Sequence, residues 1–108
     1  MRKVIVNTTP IIALADIGHL DLLRRMYGQI IIPSAVCQEV LSEPAKTLIK
    51  DNNEWILVRE IHDNTQKKMY RARLHDGEVE VMILAQEEQA DLVILDDNAA
   101  KKTAKYIY

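Results

Sequence analysis

Four short apolar runs, Val4-Ile5-Val6, Ile30-Ile31-Ile32, Trp55 to Val58 and Leu92 to Leu95, are separated by longer segments that carry helix signals. This alternation limits the fold more than any other feature of the chain. A strand with no polar residue at alternate positions is buried on both faces, which is the mark of a parallel sheet covered by helices. Strand and helix taking turns along the chain give an α/β architecture of that kind. A length of 108 residues suits one domain over 1–108, and is short for a complete doubly wound sheet. Hydrophobic residues at 48% and charged residues at 28% describe a soluble globular chain, not a disordered one.

The helices are bounded by their own signals. Asn7-Thr8-Thr9-Pro10 ends the first run and opens a helix from about Ile11 to Ile17, with Thr8 or Thr9 as cap and Pro10 in the first turn; Gly18 breaks it. A second helix covers Leu20 to Met26, with Asp21 and Arg24-Arg25 complementing its dipole and Gly28 closing it. Pro33-Ser34 opens a third, carrying Val36, Val40 and Leu41 and stopping before Pro44. Pro44 to Lys50 reads as a short helix and Asp51-Asn52-Asn53 as a turn. The segment 63–74 is polar, basic and helical in pattern, and His75-Asp76-Gly77 punctuates it. Glu78 to Glu88 is a helix with Val79, Met82, Ile83 and Gln86 on one face, and Ala99 to Lys105 is the last.

Composition excludes several classes of function. A net charge of −2 does not advertise nucleic-acid binding, so phosphate contacts would need local basic clusters or a bound metal. With four Tyr, one Trp and no Phe there is no aromatic ladder for stacking bases, and Trp55 reads as a core anchor. The single Cys37 rules out an internal disulfide, fits a reducing, cytoplasmic compartment, and sits in an apolar helical pattern as a small hydrophobe. Arg2-Lys3 and the apolar residues up to Ala15 imitate a secretory signal, but Asn7-Thr8-Thr9-Pro10 interrupts them. No run approaches the roughly 20 apolar residues of a membrane span. His19, His62 and His75 are scattered and suggest no zinc site.

In an open α/β sheet, ligands bind beyond the carboxyl ends of the strands. The first strand ends at Asn7 and the fourth at Asp96-Asp97. If these strands are neighbours, Asn7 and Asp96 face each other across one cleft. Glu39, in an otherwise apolar helix, and Glu78 and Glu80, at the start of another, are further acids available to it. Carboxylates that converge repel one another unless a hard cation lies between them, and Mg²⁺ or Mn²⁺ so held can activate water against a phosphodiester. Each acid also has a plain structural reading. Glu78 can complement a helix dipole, Asp96 or Asp97 can cap the next helix, and Glu39 can reach solvent from a polar edge.

The order of these motifs resembles the PIN-domain superfamily. Val4-Ile5-Val6-Asn7-Thr8-Thr9-Pro10-Ile11-Ile12-Ala13-Leu14 is similar to the opening of a prokaryotic branch with an Asp/Asn-Thr/Ser-Ser/Thr-Pro-Leu-Ile motif. The likeness continues through Gly18-His19-Leu20-Asp21-Leu22-Leu23, Ile32-Pro33-Ser34-Ala35-Val36, Glu39-Val40, Gly77-Glu78-Val79-Glu80-Val81 and Ala90 to Asp97. It implies a three-layer αβα fold with a parallel sheet of about four strands in the order 3-2-1-4. The family's chain usually continues with a further strand and helix, so the resemblance implies a C-terminally truncated chain, a partner covering the fourth strand, or shielding of that strand by Tyr106-Ile107-Tyr108.

The resemblance also implies a metal-dependent endoribonuclease using Mg²⁺ or Mn²⁺, in small prokaryotic members the toxin of a toxin–antitoxin pair. Asn7, Glu39, Glu78 and Asp96 fall on its four catalytic positions, with Glu80 as the alternative third, Asp97 or Asn98 assisting, and Thr8 or Thr9 as supporting hydroxyl. Glu39, Glu78, Asp96 and Asp97 would hold metal. Lys67, Lys68, Arg71 and Arg73, with Lys101, Lys102 and Lys105, are the basic clusters available to RNA, or ordinary solvated helix faces. RNA, an antitoxin and a second copy of the chain are the expected partners. Asn7 is the departure: an amide oxygen ligates a cation without the attraction of a full charge. It opens the alternative of a catalytically weakened PIN-type fold acting as a protein-binding module.

Overall fold

Each of the four apolar runs forms a strand in the computed structural model, which describes residues 3–62 and 76–95. They are β1 (Val4–Val6), β2 (Ile30–Pro33), β3 (Ile56–Arg59) and β4 (Leu92–Ile94), joined in one parallel sheet of order β3-β2-β1-β4. In register, Ile5 stands opposite Ile31 on β2, while Val4, Ile5 and Val6 stand opposite Leu92, Val93 and Ile94 on β4. Between the strands lie α1 (Thr8–Asp16), α2 (Asp21–Tyr27), α3 (Ser34–Glu39), α4 (Ala45–Asp51) and α5 (Asp76–Glu87). This is the α/β architecture, with the strand order, that the sequence implied.

Central position explains the composition of β1. Val4, Ile5 and Val6 are all fully buried. Successive strand side chains point to opposite faces, so both faces of the sheet are covered there. α5 packs on β1 and β2 and against α3; α2 packs on β2; α1 packs against α3 and α4. Burial fades along β3, where Ile56 is buried, Leu57 half-buried, and Val58 and Arg59 exposed. β4 is half-buried throughout.

Local boundaries differ from the sequence expectation in instructive ways. α1 starts at Thr8, three residues early, and Asn7 takes the extended cap position (φ −81°, ψ 173°) without a side-chain cap bond. Pro10 still sits in the first turn, where a missing N–H costs nothing. α3 stops at Glu39 instead of running to Leu41. Val40 is buried from an extended backbone (φ −83°, ψ 91°), and Leu41 is 76% exposed. The i, i+4 spacing of Val36 and Val40 imitates a helix that the chain does not continue. α5 begins at Asp76, so Gly77 lies inside its first turn rather than before it. The expected apolar stripe on α5 is also too narrow. Glu80, Val81 and Leu84 are buried along with Val79, Met82 and Ile83, while Gln86 is exposed, because the helix is wedged between the sheet and α3.

Trp55 is a core anchor, 4% exposed, placed just before β3. Its indole N–H donates to Asn52 Oδ1 (3.0 Å), and Asn52 Nδ2 donates to the Leu48 carbonyl (2.8 Å), tying the end of α4 to the start of β3. Cys37 is half-buried and packs against the core. Among the described residues no helix is long and apolar enough to cross a membrane. The helices expected over 63–74 and Ala99 to Lys105 lie outside the described residues.

Candidate metal centre

β1 and β4 end side by side, with Val6 level with Ile94. The backbone N–H of Asn7 donates to the Ile94 carbonyl (2.9 Å), which carries the ladder one residue beyond β1 and pins Asn7 between the two strand ends. Asn7 is 4% exposed. The adjacency of the first and fourth strands, conditional in the sequence, is therefore present in the fold, while Asp96 lies outside the described residues.

Glu39 faces the same end of the molecule through its contacts. As the last residue of α3 it accepts the Thr8 hydroxyl at Oε2 (2.8 Å) and the Gly77 backbone N–H at Oε1 (2.7 Å). Both donors belong to first turns, of α1 and of α5. One donor is a side-chain hydroxyl and the other is a backbone N–H of the kind a helix start leaves without an intrahelical partner. Bonds to an ionised acceptor are the strong kind, and both are short. Glu39 itself stays largely exposed. One carboxylate thus joins three elements and remains open to solvent.

Glu78 follows Gly77 directly and is half-buried, so the same contact brings its segment to Glu39. Glu80 has a different position. It is 4% exposed, and its Oε1 accepts the Ala35 N–H (3.1 Å) and the Ser34 hydroxyl (3.2 Å) at the start of α3. Pro33, at the cap position of α3, makes no side-chain cap bond, so a carboxylate from the neighbouring helix does that work. α3 and α5 are consequently clasped at both ends of α3: Glu39 to Gly77 at one, Glu80 to Ala35 at the other. These contacts run the two helices antiparallel, and they place Glu80 at the end of α3 remote from Glu39.

Among the described residues no three of Asp, Glu, His and Cys come together as a metal-holding group. Asp96 and Asp97, as well as Lys67, Lys68, Arg71, Arg73, Lys101, Lys102 and Lys105, lie outside the described residues. The oxygens that the fold brings together are the Thr8 hydroxyl and the Glu39 carboxylate, with Asn7 next to Thr8 in the chain. A carboxylate has about four lone-pair sites, so Glu39 keeps acceptor capacity beyond its two hydrogen bonds. Oxygen ligands of this kind are those that a hard divalent cation takes.

A cavity of about 510 Å³ lies elsewhere, between the end of α3, α4 and β3. Its lining includes Cys37, Val40, Ile49 and Ile56, with Lys46 and Lys50, and it contains none of Asn7, Glu39 or Glu78. It is lined by no acidic residue, so the exposed Glu39 carboxylate with its Thr8 and Gly77 partners is the better chemical candidate for a cation.

Two residues of the site region do more than their sequence signals state. Gly77 looked like punctuation and is a ligand of Glu39 through its N–H. Ser34 looked like a helix opener and is a partner of Glu80. The signal for the second was available: Glu80 lies between Val79 and Val81 in a helix that is apolar around it, which asks for a buried partner.

A family model described as DUF3368, a PIN domain, matches residues 3–107. No curated protein and no solved structure matches the chain.

Proposed function

The chain belongs to the PIN-domain family, a nuclease-type fold, and from that premise we propose that it is a divalent-metal-dependent endoribonuclease. The observation that carries the reading is the junction of Thr8, Glu39 and Gly77: an exposed acid held by the starts of two helices, one of which begins just after β1. Glu39, Glu78, Asp96 and Asp97 would hold Mg²⁺ or Mn²⁺. When bound, the ion supplies a more acidic water and a counter-charge for the phosphate. The protein's own residues do the positioning. Thr8 and the Gly77 N–H orient the Glu39 carboxylate, and Asn7, pinned by Ile94, offers a neutral amide at the first position.

In this reading RNA is the substrate, and Lys67, Lys68, Arg71, Arg73, Lys101 and Lys102 contact its phosphates. The whole chain works as one cytoplasmic domain, as the toxin of a toxin–antitoxin pair, with an antitoxin and a second copy as partners. A second reading, a weakened PIN-type fold that acts by binding protein, is favoured by Asn7: a buried amide attracts a cation less than a carboxylate would.

The deciding experiment follows cleavage of a labelled RNA with Mn²⁺, with chelator, and with the Asp96→Asn and Glu39→Gln variants. Metal-dependent cutting by the natural chain that is lost in both variants supports the nuclease. Cutting that survives both substitutions ends the metal mechanism, and no cutting with intact folding supports the binding module.

A further inference from the structure

We infer that Gly77 is a positioning residue: its missing side chain is what allows the Glu39 carboxylate to stand where a metal ion can use it. The inference rests on the nuclease reading and adds a residue to it.

The chain has three glycines. Gly18 and Gly28 adopt positive φ (73° and 79°), a backbone region that favours glycine, and a Cβ at either would meet nothing within 4 Å. Gly77 is the reverse case. It sits in the first turn of α5 and is not among the positive-φ residues, so alanine would suit its backbone and favour the helix. A Cβ at position 77, however, would stand 2.6 Å from Glu39 Oε2, 2.8 Å from Oε1 and 2.9 Å from Cδ. These distances are well inside van der Waals contact.

A flexible side chain usually escapes such a clash cheaply. Glu39 cannot escape without loss, because Thr8 holds one oxygen and the Gly77 N–H holds the other. Any rotation that clears a methyl group lengthens one of these bonds. Glycine at 77 therefore sets the carboxylate position from one side while Thr8 sets it from the other. The disfavoured residue type in a helix turn is explained by close approach, not by backbone freedom.

The test compares the natural chain, Gly77→Ala, and the double variant Gly77→Ala/Glu39→Asp, by calorimetric Mn²⁺ titration and by the ¹⁵N–¹H shift of the amide at position 77 without metal. Gly77→Ala is expected to weaken Mn²⁺ binding about tenfold or more, in line with the loss of a group that orients a metal ligand. The metal-free protein should remain folded, with the position-77 amide shifted upfield as its charge-assisted bond lengthens. Glu39→Asp makes room for the methyl but withdraws the carboxylate by one methylene from both donors, so the double variant is expected to bind Mn²⁺ no better than Gly77→Ala. Unchanged Mn²⁺ affinity in Gly77→Ala would overturn the inference alone and leave the nuclease reading standing. Full recovery of Mn²⁺ affinity in the double variant would count against a carboxylate position set by Thr8 and position 77 together. A natural chain that binds no Mn²⁺ would overturn the metal reading and this inference with it, while the amide shift would still report on the contact.

Discussion

Replacing Glu80 with alanine should reveal a structural acid, not a catalytic one. The carboxylate is 4% exposed and accepts the Ala35 N–H and the Ser34 hydroxyl, so it supplies what α3 lacks at its own cap. Leaving a buried N–H without an acceptor costs about 1–3 kcal/mol. The emptied space of the side-chain stem adds about 1 kcal/mol more. Desolvation of the native carboxylate works in the other direction and trims the total, so a net loss of about 1–3 kcal/mol is expected. For a domain of this size that corresponds to roughly 5–15 °C in melting temperature. Urea unfolding followed by the fluorescence of the single Trp55 measures it directly, with an unchanged slope as the sign that only stability moved. Glu80→Gln keeps one acceptor oxygen and should lose about 1 kcal/mol. The companion variant Glu39→Gln, at a solvent-open site, should stay within about 1 kcal/mol of the natural chain. A loss in Glu80→Ala below about 0.5 kcal/mol, or one smaller than that of Glu39→Gln, would refute the division of labour between the two acids.

Three further outcomes follow from other contacts. Asn7→Asp buries a charge in the strand-end cleft; it should destabilise the protein in chelator by about 1–3 kcal/mol and gain more stability from Mn²⁺ than the natural chain does, and an identical thermal response to Mn²⁺ in both would remove Asn7 from the site. Trp55→Phe deletes the indole donor to Asn52 and should cost about 1 kcal/mol by circular dichroism in urea; no loss would mean that the bond contributes nothing. Glu43 has its pKa lowered from 4.5 by the hydroxyl of Thr47 first and by the Thr47 backbone N–H second. Its folded value lies below its unfolded one, so its contribution to α4 is complete above the unfolded pKa and is lost as pH falls through the folded value. An NMR titration of the Thr47 amide should therefore show a midpoint below 4.5, and a midpoint at or above it would show that the contact is absent in solution.

The parallel sheet was legible because burial on both faces leaves a local mark. Val4-Ile5-Val6 and Ile30-Ile31-Ile32 have no polar residue to turn outward, and both become central strands. Helix ends were less legible. Thr8 looks like a cap, yet Asn7 takes the cap position, because the Thr8 hydroxyl finds a better acceptor in Glu39, 31 positions away in the chain. Val40 looks helical by spacing, yet it is buried from an extended backbone.

The same limit applies to the acids. By sequence, Glu78 and Glu80 are near-equivalent candidates two residues apart on one helix. A separation of that kind turns side chains toward different sides of a helix, and only the packing of α3 against α5 decides what each side meets. It gives Glu80 the start of α3 and brings the Gly77-Glu78 segment to Glu39. Unaided, the sequence determined the α/β class, the strands and the family, since those depend on burial patterns and motif order written along the chain. Tertiary structure alone decided that Glu80 caps a neighbouring helix and that Gly77 must lack a side chain, because both follow from contacts between segments about 40 residues apart, whose geometry no local pattern encodes.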